Sequence, residues 1–147
     1  MATSDNVLRA GLTPKARDVP NLLESLTYTP APPAQHLVYP RPFAGGGIPA
    51  VGDSPAKTQL YDPPVPEFSV LRVGLSKEGD DEQHAALGGP SVLIVTEGGG
   101  KIVAPKAQDG DLELEVKEGS VIFVGAGVPV KFIAGQTLVV YRAYYEA

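Results

Sequence analysis

The stretch EGSVIFVGAGVPVKF, residues 118–132, decides the fold class. Two apolar runs flank a glycine-rich corner at residues 125–127, and Glu118-Gly119 stands before the first run. Short apolar runs bounded by glycine are typical of β-strands joined by tight turns. The stretch therefore predicts a turn at Glu118-Gly119, a strand, a corner and a second strand.

The same pattern extends over the second half of the chain. DLELEV (111–116) alternates strictly, so we predict that its apolar residues face inward and its glutamates face solvent. Short strands separated by glycine turns about every 8–12 residues are typical of sandwiches and jelly rolls. The sequence therefore predicts an all-β fold, a cupin-like jelly roll or β-sandwich, over residues 68–147.

A second glycine-rich segment lies inside PSVLIVTEGGGKIVAP, residues 90–105. EGGG (97–100) separates two apolar runs, which predicts a hairpin turn. EGGGK also has the glycines and lysine of a phosphate loop, but that motif requires GxxxxGK[ST] between a strand and a helix. Because Ile102 and Val103 continue a strand pattern, we interpret the segment as a hairpin.

The first 26 residues contain two short predicted elements. Residues 3–9 predict a strand. DVPNLLESL (18–26) predicts a helix, because Asp18 is a suitable N-cap and Pro20 fits the first helical turn. We assign residues 1–17 to an N-terminal strand segment.

A proline-rich arm follows the helix. Ten of the fifteen prolines lie within residues 27–67. Proline removes backbone donors from a sheet and disrupts helix interiors. We therefore expect residues 18–67 to form a short helix and an extended crossover that wraps the surface and does not join a sheet.

Composition excludes several classes of protein. With 147 residues, 43% of them apolar, the chain is long enough for one domain with an arm. The absence of cysteine excludes disulfides and a thiol nucleophile. The net charge of −5 without a basic stripe argues against nucleic acid as a partner. Neither a signal peptide nor a membrane-spanning apolar run is present, so we expect a cytoplasmic protein with no membrane partner.

The two histidines, His36 and His84, are the remaining candidates for metal chemistry. His36 lies in the proline-rich arm and His84 in a polar segment read as a turn, and neither has a partner at the spacing of metal ligands. We expect both to be surface histidines and assign no metal ligand in this chain.

Several motifs together resemble one enzyme family. SDNVLRAGLTPK (4–15), YDPPVPEFSVLRV (61–73), GPSVLIVTEGGGKI (89–102) and YRAYYEA (141–147) are similar to the C-terminal third of type I mannose-6-phosphate isomerase. That resemblance implies a zinc-dependent cupin enzyme that interconverts mannose 6-phosphate and fructose 6-phosphate and supplies GDP-mannose synthesis. In the family the metal is held by a Gln, two His and a Glu, all upstream of the region that this chain resembles. We therefore expect no cofactor in this chain, and no activity from it alone.

The resemblance also implies site residues. Arg9 corresponds to the family's active-site arginine and Asp5 to an acidic residue that handles a proton, so these are the candidate catalytic residues. Lys15 and Asn6 are the candidate substrate-binding residues, for the phosphate and for a sugar hydroxyl. The alternative is that Asp5 and Arg9, which share one face of a strand, only pair with each other.

Two other functions remain open. The chain could be a stand-alone, lectin-like protein that binds mannose or another sugar, or a non-catalytic structural or assembly domain. Its expected partners are a sugar phosphate or mannose. Because a lone strand at residues 3–9 would have an unpaired edge, we also expect a homodimer formed through that strand.

Overall fold

A computed structural model describes residues 8–9, 11–12, 14–43, 56–105 and 110–145. The chain divides into two compact units, Met1–Leu37 and Val38–Ala147. No helix in the described part of the chain is long and apolar enough to span a membrane.

The first unit contains the predicted helix. Helix α1 spans Val19–Ser25, and the Asp18 side chain caps it by accepting a hydrogen bond from the backbone N–H of Asn21 at 3.3 Å. None of the α1 residues is buried. A short 3₁₀ helix follows at Pro33–His36. Leu8 and Arg9 are not in a strand, and the rest of the strand predicted at 3–9 lies outside the described residues.

The second unit is built from antiparallel strands. They are β1 (Arg41–Pro42), β2 (Thr58–Tyr61), β3 (Ser69–Leu75), β4 (Asp81–His84), β5 (Ser91–Pro105), β6 (Asp111–Lys117), β7 (Val121–Val124) and β8 (Val130–Tyr144). The long strands β5 and β8 pair with each other and connect two halves of the sheet. The first half has the order β7-β5-β8-β3-β2-β1, and the second has the order β6-β5-β8-β4. The all-β fold predicted from the glycine-bounded runs is confirmed.

The two halves share one apolar core. Side chains from both halves form a single buried cluster, so the halves face each other across it. Its members are Val73, Leu75, Leu93, Val95, Ile102, Val116, Val124, Val130, Phe132, Ala134, Leu138 and Val140.

The prediction of a hairpin at EGGG is wrong, because β5 runs through this segment as one strand of 15 residues. The pairing with β8 shifts register between Val95 and Glu97 and again between Gly98 and Gly100. A Cβ atom at Gly98 would collide with the carbonyl oxygen of Thr137, and Gly98 has a φ of +73°. The glycines therefore allow the two backbones to approach closely at bulges, where β5 passes from one half of the sheet to the other.

The prediction that the proline-rich arm stays outside the sheet is also wrong. Strand β2 lies within it and pairs with β3, with Thr58 opposite Val73. No proline occurs between Pro55 and Pro63, so this part of the arm keeps all its backbone donors. The prolines confine β2 to this short window, and the two-residue edge strand β1 of the same arm contains Pro42 itself.

Strand β6 agrees only partly with the predicted alternation. Of its three apolar residues only Val116 is buried, whereas Leu112 and Leu114 remain 38% and 37% exposed. Val116 belongs to the buried apolar cluster, whereas Leu112 and Leu114 lie on the part of the strand that this cluster does not reach. The predicted turns are confirmed, with Gly119 and Gly127 both in the left-handed region at φ values of +84° and +75°.

Candidate functional site

A buried group of polar side chains lies between the two halves of the sheet. Alternation along each strand aims Arg142 of β8, His84 of β4, Ser91 of β5 and Thr58 of β2 inward, and each is at most 2% exposed. The half-buried Glu82 of β4 completes the group. We call these five residues the interior relay.

A chain of hydrogen bonds runs from Arg142 to Glu82, and a further hydrogen bond joins Arg142 to Ser91. The Arg142 guanidinium donates from Nε to Ser91 Oγ at 2.9 Å and from Nη1 to His84 Nδ1 at 3.3 Å. Arginine has only donors, so His84 Nδ1 is the acceptor and Nε2 carries the ring proton. Nε2 then donates to Thr58 Oγ1 at 3.0 Å, and the Thr58 hydroxyl donates to Glu82 Oε1 at 2.9 Å. Both sides of the ring fit this tautomer, because Arg142 can only donate to Nδ1, and the Thr58 hydroxyl can accept from Nε2 while it donates to Glu82.

Burial determines the charges within the interior relay. Loss of solvent, and then the nearby positive charge of Arg142, lower the pKa of His84 to about 4, so the ring is neutral near neutral pH. Loss of solvent also lowers the pKa of Arg142, to about 10, so its guanidinium stays charged there. The relay therefore joins a buried cation to a carboxylate through a neutral imidazole and a hydroxyl.

The prediction of a surface His84 is wrong. The ring is fully buried and lies between the rings of Phe43 and Phe132, with centroids 5.4 Å and 5.0 Å away. The segment DEQH contains only polar residues, so hydrophobic alternation gives no sign that it is a strand. His36, by contrast, is exposed as predicted.

The site residues implied by the family resemblance belong to the first unit. Arg9 is half-buried, and its carbonyl oxygen accepts a hydrogen bond from the N–H of Asp18 at 3.1 Å. Lys15 is exposed. Asp5 and Asn6 lie outside the described residues, so their predicted roles remain predictions.

The described part of the chain contains no candidate metal site. No three residues of the types His, Cys, Asp or Glu are grouped there so that they could hold an ion. Lys101 is instead the partner of two carboxylates, with its Nζ 3.3 Å from Glu113 and 3.4 Å from Glu115. The acidic strand β6 is thus a solvated, ion-paired face.

Comparison with known proteins identifies the relatives of this chain. The family profile described as "Phosphomannose isomerase type I C-terminal" matches residues 59–106. The mannose-6-phosphate isomerase of Cryptococcus neoformans is 48% identical over 100% of this chain, which covers 31% of that protein. The chain is homologous to the C-terminal region of type I phosphomannose isomerases. The Bos taurus mannose-6-phosphate isomerase is 38% identical over 97% of the chain, again covering 31% of the relative. The chain thus spans about a third of the length of the curated relatives that it matches.

Solved structures agree with this assignment. The mannose 6-phosphate isomerase of Salmonella typhimurium, bound to fructose 6-phosphate and zinc, superposes with a TM-score of 0.66 and 27% identity over 100% of this chain and 32% of that one. The hydroxypropylphosphonic acid epoxidase of S. wedmorenis, at 17% identity and a TM-score of 0.50, shares the fold alone. The resemblance inferred from SDNVLRAGLTPK and the other motifs is confirmed, and so is the cupin-like fold.

Proposed function

We propose that this chain acts as the C-terminal part of a mannose-6-phosphate isomerase and contributes one wall of the substrate pocket. The observation that supports this most strongly is the 48% identity over the whole chain to the Cryptococcus neoformans isomerase. That alignment includes the stretch 4–15, where the four proposed site residues lie.

Of the two proposed catalytic residues, Arg9 and Asp5, Arg9 is the one that lies among the described residues. Its planar guanidinium can donate two parallel hydrogen bonds to one phosphate, or stabilise the negative charge of an enediolate as it forms. Lys15, exposed in the first unit, is the proposed phosphate ligand. Asp5 and Asn6 are proposed to transfer a proton and to bind a sugar hydroxyl.

Zinc is proposed to be bound by residues outside this region. The described residues do not fit it, since they contain no group of three ligating side chains. Positioning by an arginine and a lysine cannot replace a metal that polarises a carbonyl, so the chain alone is proposed to be inactive.

The test of the site is a fusion in which this chain replaces the C-terminal third of the Cryptococcus neoformans isomerase. Replacing Arg9 with Ala should lower kcat/KM for mannose 6-phosphate by about 10²–10³, the effect of removing one group that stabilises developing charge. Arg17→Ala is the control, because Arg17 is an exposed arginine of the same unit. Equal kcat/KM for the two variants would contradict the role of Arg9.

The two other functions make different predictions for the isolated chain. A calorimetric titration with mannose and with mannose 6-phosphate, each with and without zinc, separates them. Binding of plain mannose without zinc would favour a lectin-like protein, and binding of neither sugar would favour a structural or assembly domain. Phosphate-dependent binding that Arg9→Ala abolishes would favour the isomerase pocket. A homodimer formed through residues 3–9 is likewise a proposal, which the mass measured by sedimentation tests.

A further inference from the structure

We propose that the outer face of the first half of the sheet, around β7 and β5, is the surface that docks the remaining two thirds of a type I phosphomannose isomerase. We call this face the outer apolar band and define it by Val92, Ile94, Val121, Phe123, Tyr141 and Ala143. The inference rests on the proposed function for its partner.

Strand register places these six side chains in two rows on one face. Val92 lies opposite Phe123 on β7 and opposite Ala143 on β8. Ile94 lies opposite Val121 and Tyr141 in the same way. Since side chains two residues apart on a strand share a face, the rows are adjacent and form one surface.

This face is exposed although it is apolar. Phe123 and Val121 are 70% and 63% exposed, and Val92 and Ile94 are 46% and 43% exposed. On the opposite face of β5 the neighbouring Leu93 is only 1% exposed. Contiguous exposed apolar surface of this kind marks interaction sites in monomeric folds.

A shallow cleft of about 180 Å³ adjoins the band. It is lined by Pro90, Ser91, Val92, Phe123, Ala143, Tyr144 and Tyr145. Most of this lining is apolar or aromatic, and the Ser91 hydroxyl is turned inward, because Ser91 is 2% exposed and its Oγ accepts a hydrogen bond from Arg142. A sugar would need several polar partners, so this cleft suits an apolar side chain of a polypeptide better.

The identity of the partner follows from chain length and charge. The Salmonella typhimurium isomerase aligns with the whole of this chain but has only 32% of its own length in the match, so a larger polypeptide accompanies the same fold there. None of the six residues that define the band carries a charge. The band is thus a neutral, apolar surface, which a protein partner fits and a charged polymer does not.

Cysteine labelling provides the test, because the chain has no cysteine of its own. Phe123→Cys is prepared in the isolated chain and in the fusion with the upstream two thirds of the Cryptococcus neoformans isomerase, and labelling is read from the mass of the peptide that contains residue 123. We expect labelling in the fusion to be at least about tenfold slower than in the isolated chain. Tyr39→Cys is the matched control, since Tyr39 is 69% exposed and Phe123 is 70% exposed, and its rate should be the same in both.

Equal rates for Phe123→Cys in the two proteins would overturn the proposal. Labelling that slows in the isolated chain as its concentration rises would identify a second copy as the occupant, and would also overturn it. Should the fusion fail to fold, the upstream part is added to the labelled chain as a separate protein, with the same expected protection. Isomerase activity is measured on the same fusion, so protection without activity contradicts only the proposed function, and activity without protection contradicts only the docking surface.

Discussion

At the scale of single residues, Arg142 carries a buried positive charge, and the side chains to which it donates hydrogen bonds are neutral. Its guanidinium donates to the Ser91 hydroxyl and to the neutral His84 ring, and the carboxylate of Glu82 lies two hydrogen bonds beyond His84. A buried charge is stable only when its donors find acceptors, and here every buried polar side-chain atom in the described residues has one. The alternation of Leu138, Val140 and Arg142 indicates an inward position for Arg142, but its hydrogen-bond partners come from two other strands and cannot be read from sequence.

Removing the guanidinium should therefore destabilise the fold. Arg142→Met keeps a long side chain but leaves Ser91 Oγ and His84 Nδ1 without their donor. We expect the free energy of unfolding to fall by about 2–4 kcal/mol in urea denaturation. Lys117→Met, at an exposed position on β6, is the control and should change stability by less than about 0.5 kcal/mol. An Arg142→Met variant as stable as the unchanged chain would contradict the role of the interior relay.

His84 should make stability depend on acid. Burial lowers the pKa of His84 to about 4 from an ordinary value of 6.5, so between these values the unfolded chain binds a proton that the folded chain does not. The stabilisation from the neutral ring is therefore fully present above the unfolded pKa and is lost as the pH falls from about 6.5 towards 4. We expect a loss of about 2 kcal/mol between about pH 7 and pH 5.

The measurement is urea denaturation at both pH values. His84→Gln should abolish this part of the pH dependence, whereas His36→Gln, at an exposed position, should retain it. If His84→Gln keeps the full dependence, then other groups cause it.

At the scale of elements, strands β5 and β8 are each single strands of 15 residues that bend between two halves of a sheet. Two apolar runs separated by glycines fit both a hairpin and a bulged strand, and local sequence does not distinguish them. The deciding feature is the partner, since β8 pairs with β5 on both sides of EGGG. By contrast, the turns at Gly119 and Gly127 and the Asp18 cap depend on local backbone chemistry, and the sequence was sufficient to predict them.

Substitution at the bulge should show whether close approach is essential there. Gly98→Ala places a Cβ against the carbonyl oxygen and carbon of Thr137 in a backbone with φ +73°, and these two backbone atoms cannot move easily. We expect a loss of about 2–4 kcal/mol in the free energy of unfolding. Gly88→Ala is the control, because nothing lies within 4 Å of its Cβ position, and its effect should be within about 1 kcal/mol. A hairpin turn would leave room for alanine, and equal stability of the two variants would support it.

At the scale of the whole molecule, the fold and the family could be predicted, whereas the interior and the surfaces could not. Glycine-bounded apolar runs define the β-domain, and the motifs at 4–15 and 61–73 are specific to one family. The interior relay brings together residues from 58 to 142, a separation over which sequence patterns give no information. The outer apolar band was equally hidden, because alternation in Val92 and Ile94 does not tell which face has a partner.

We propose that this chain performs the role of the C-terminal third of a mannose-6-phosphate isomerase. The most direct measurement compares isomerase activity for three proteins: the Cryptococcus neoformans enzyme without its C-terminal third, the same truncated enzyme fused to this chain, and this chain alone. We predict that only the fusion is active, with kcat/KM within about tenfold of the intact enzyme, a difference of about 1.4 kcal/mol in transition-state stabilisation. A folded fusion without activity, or a truncated enzyme that needs no C-terminal third, would contradict the account.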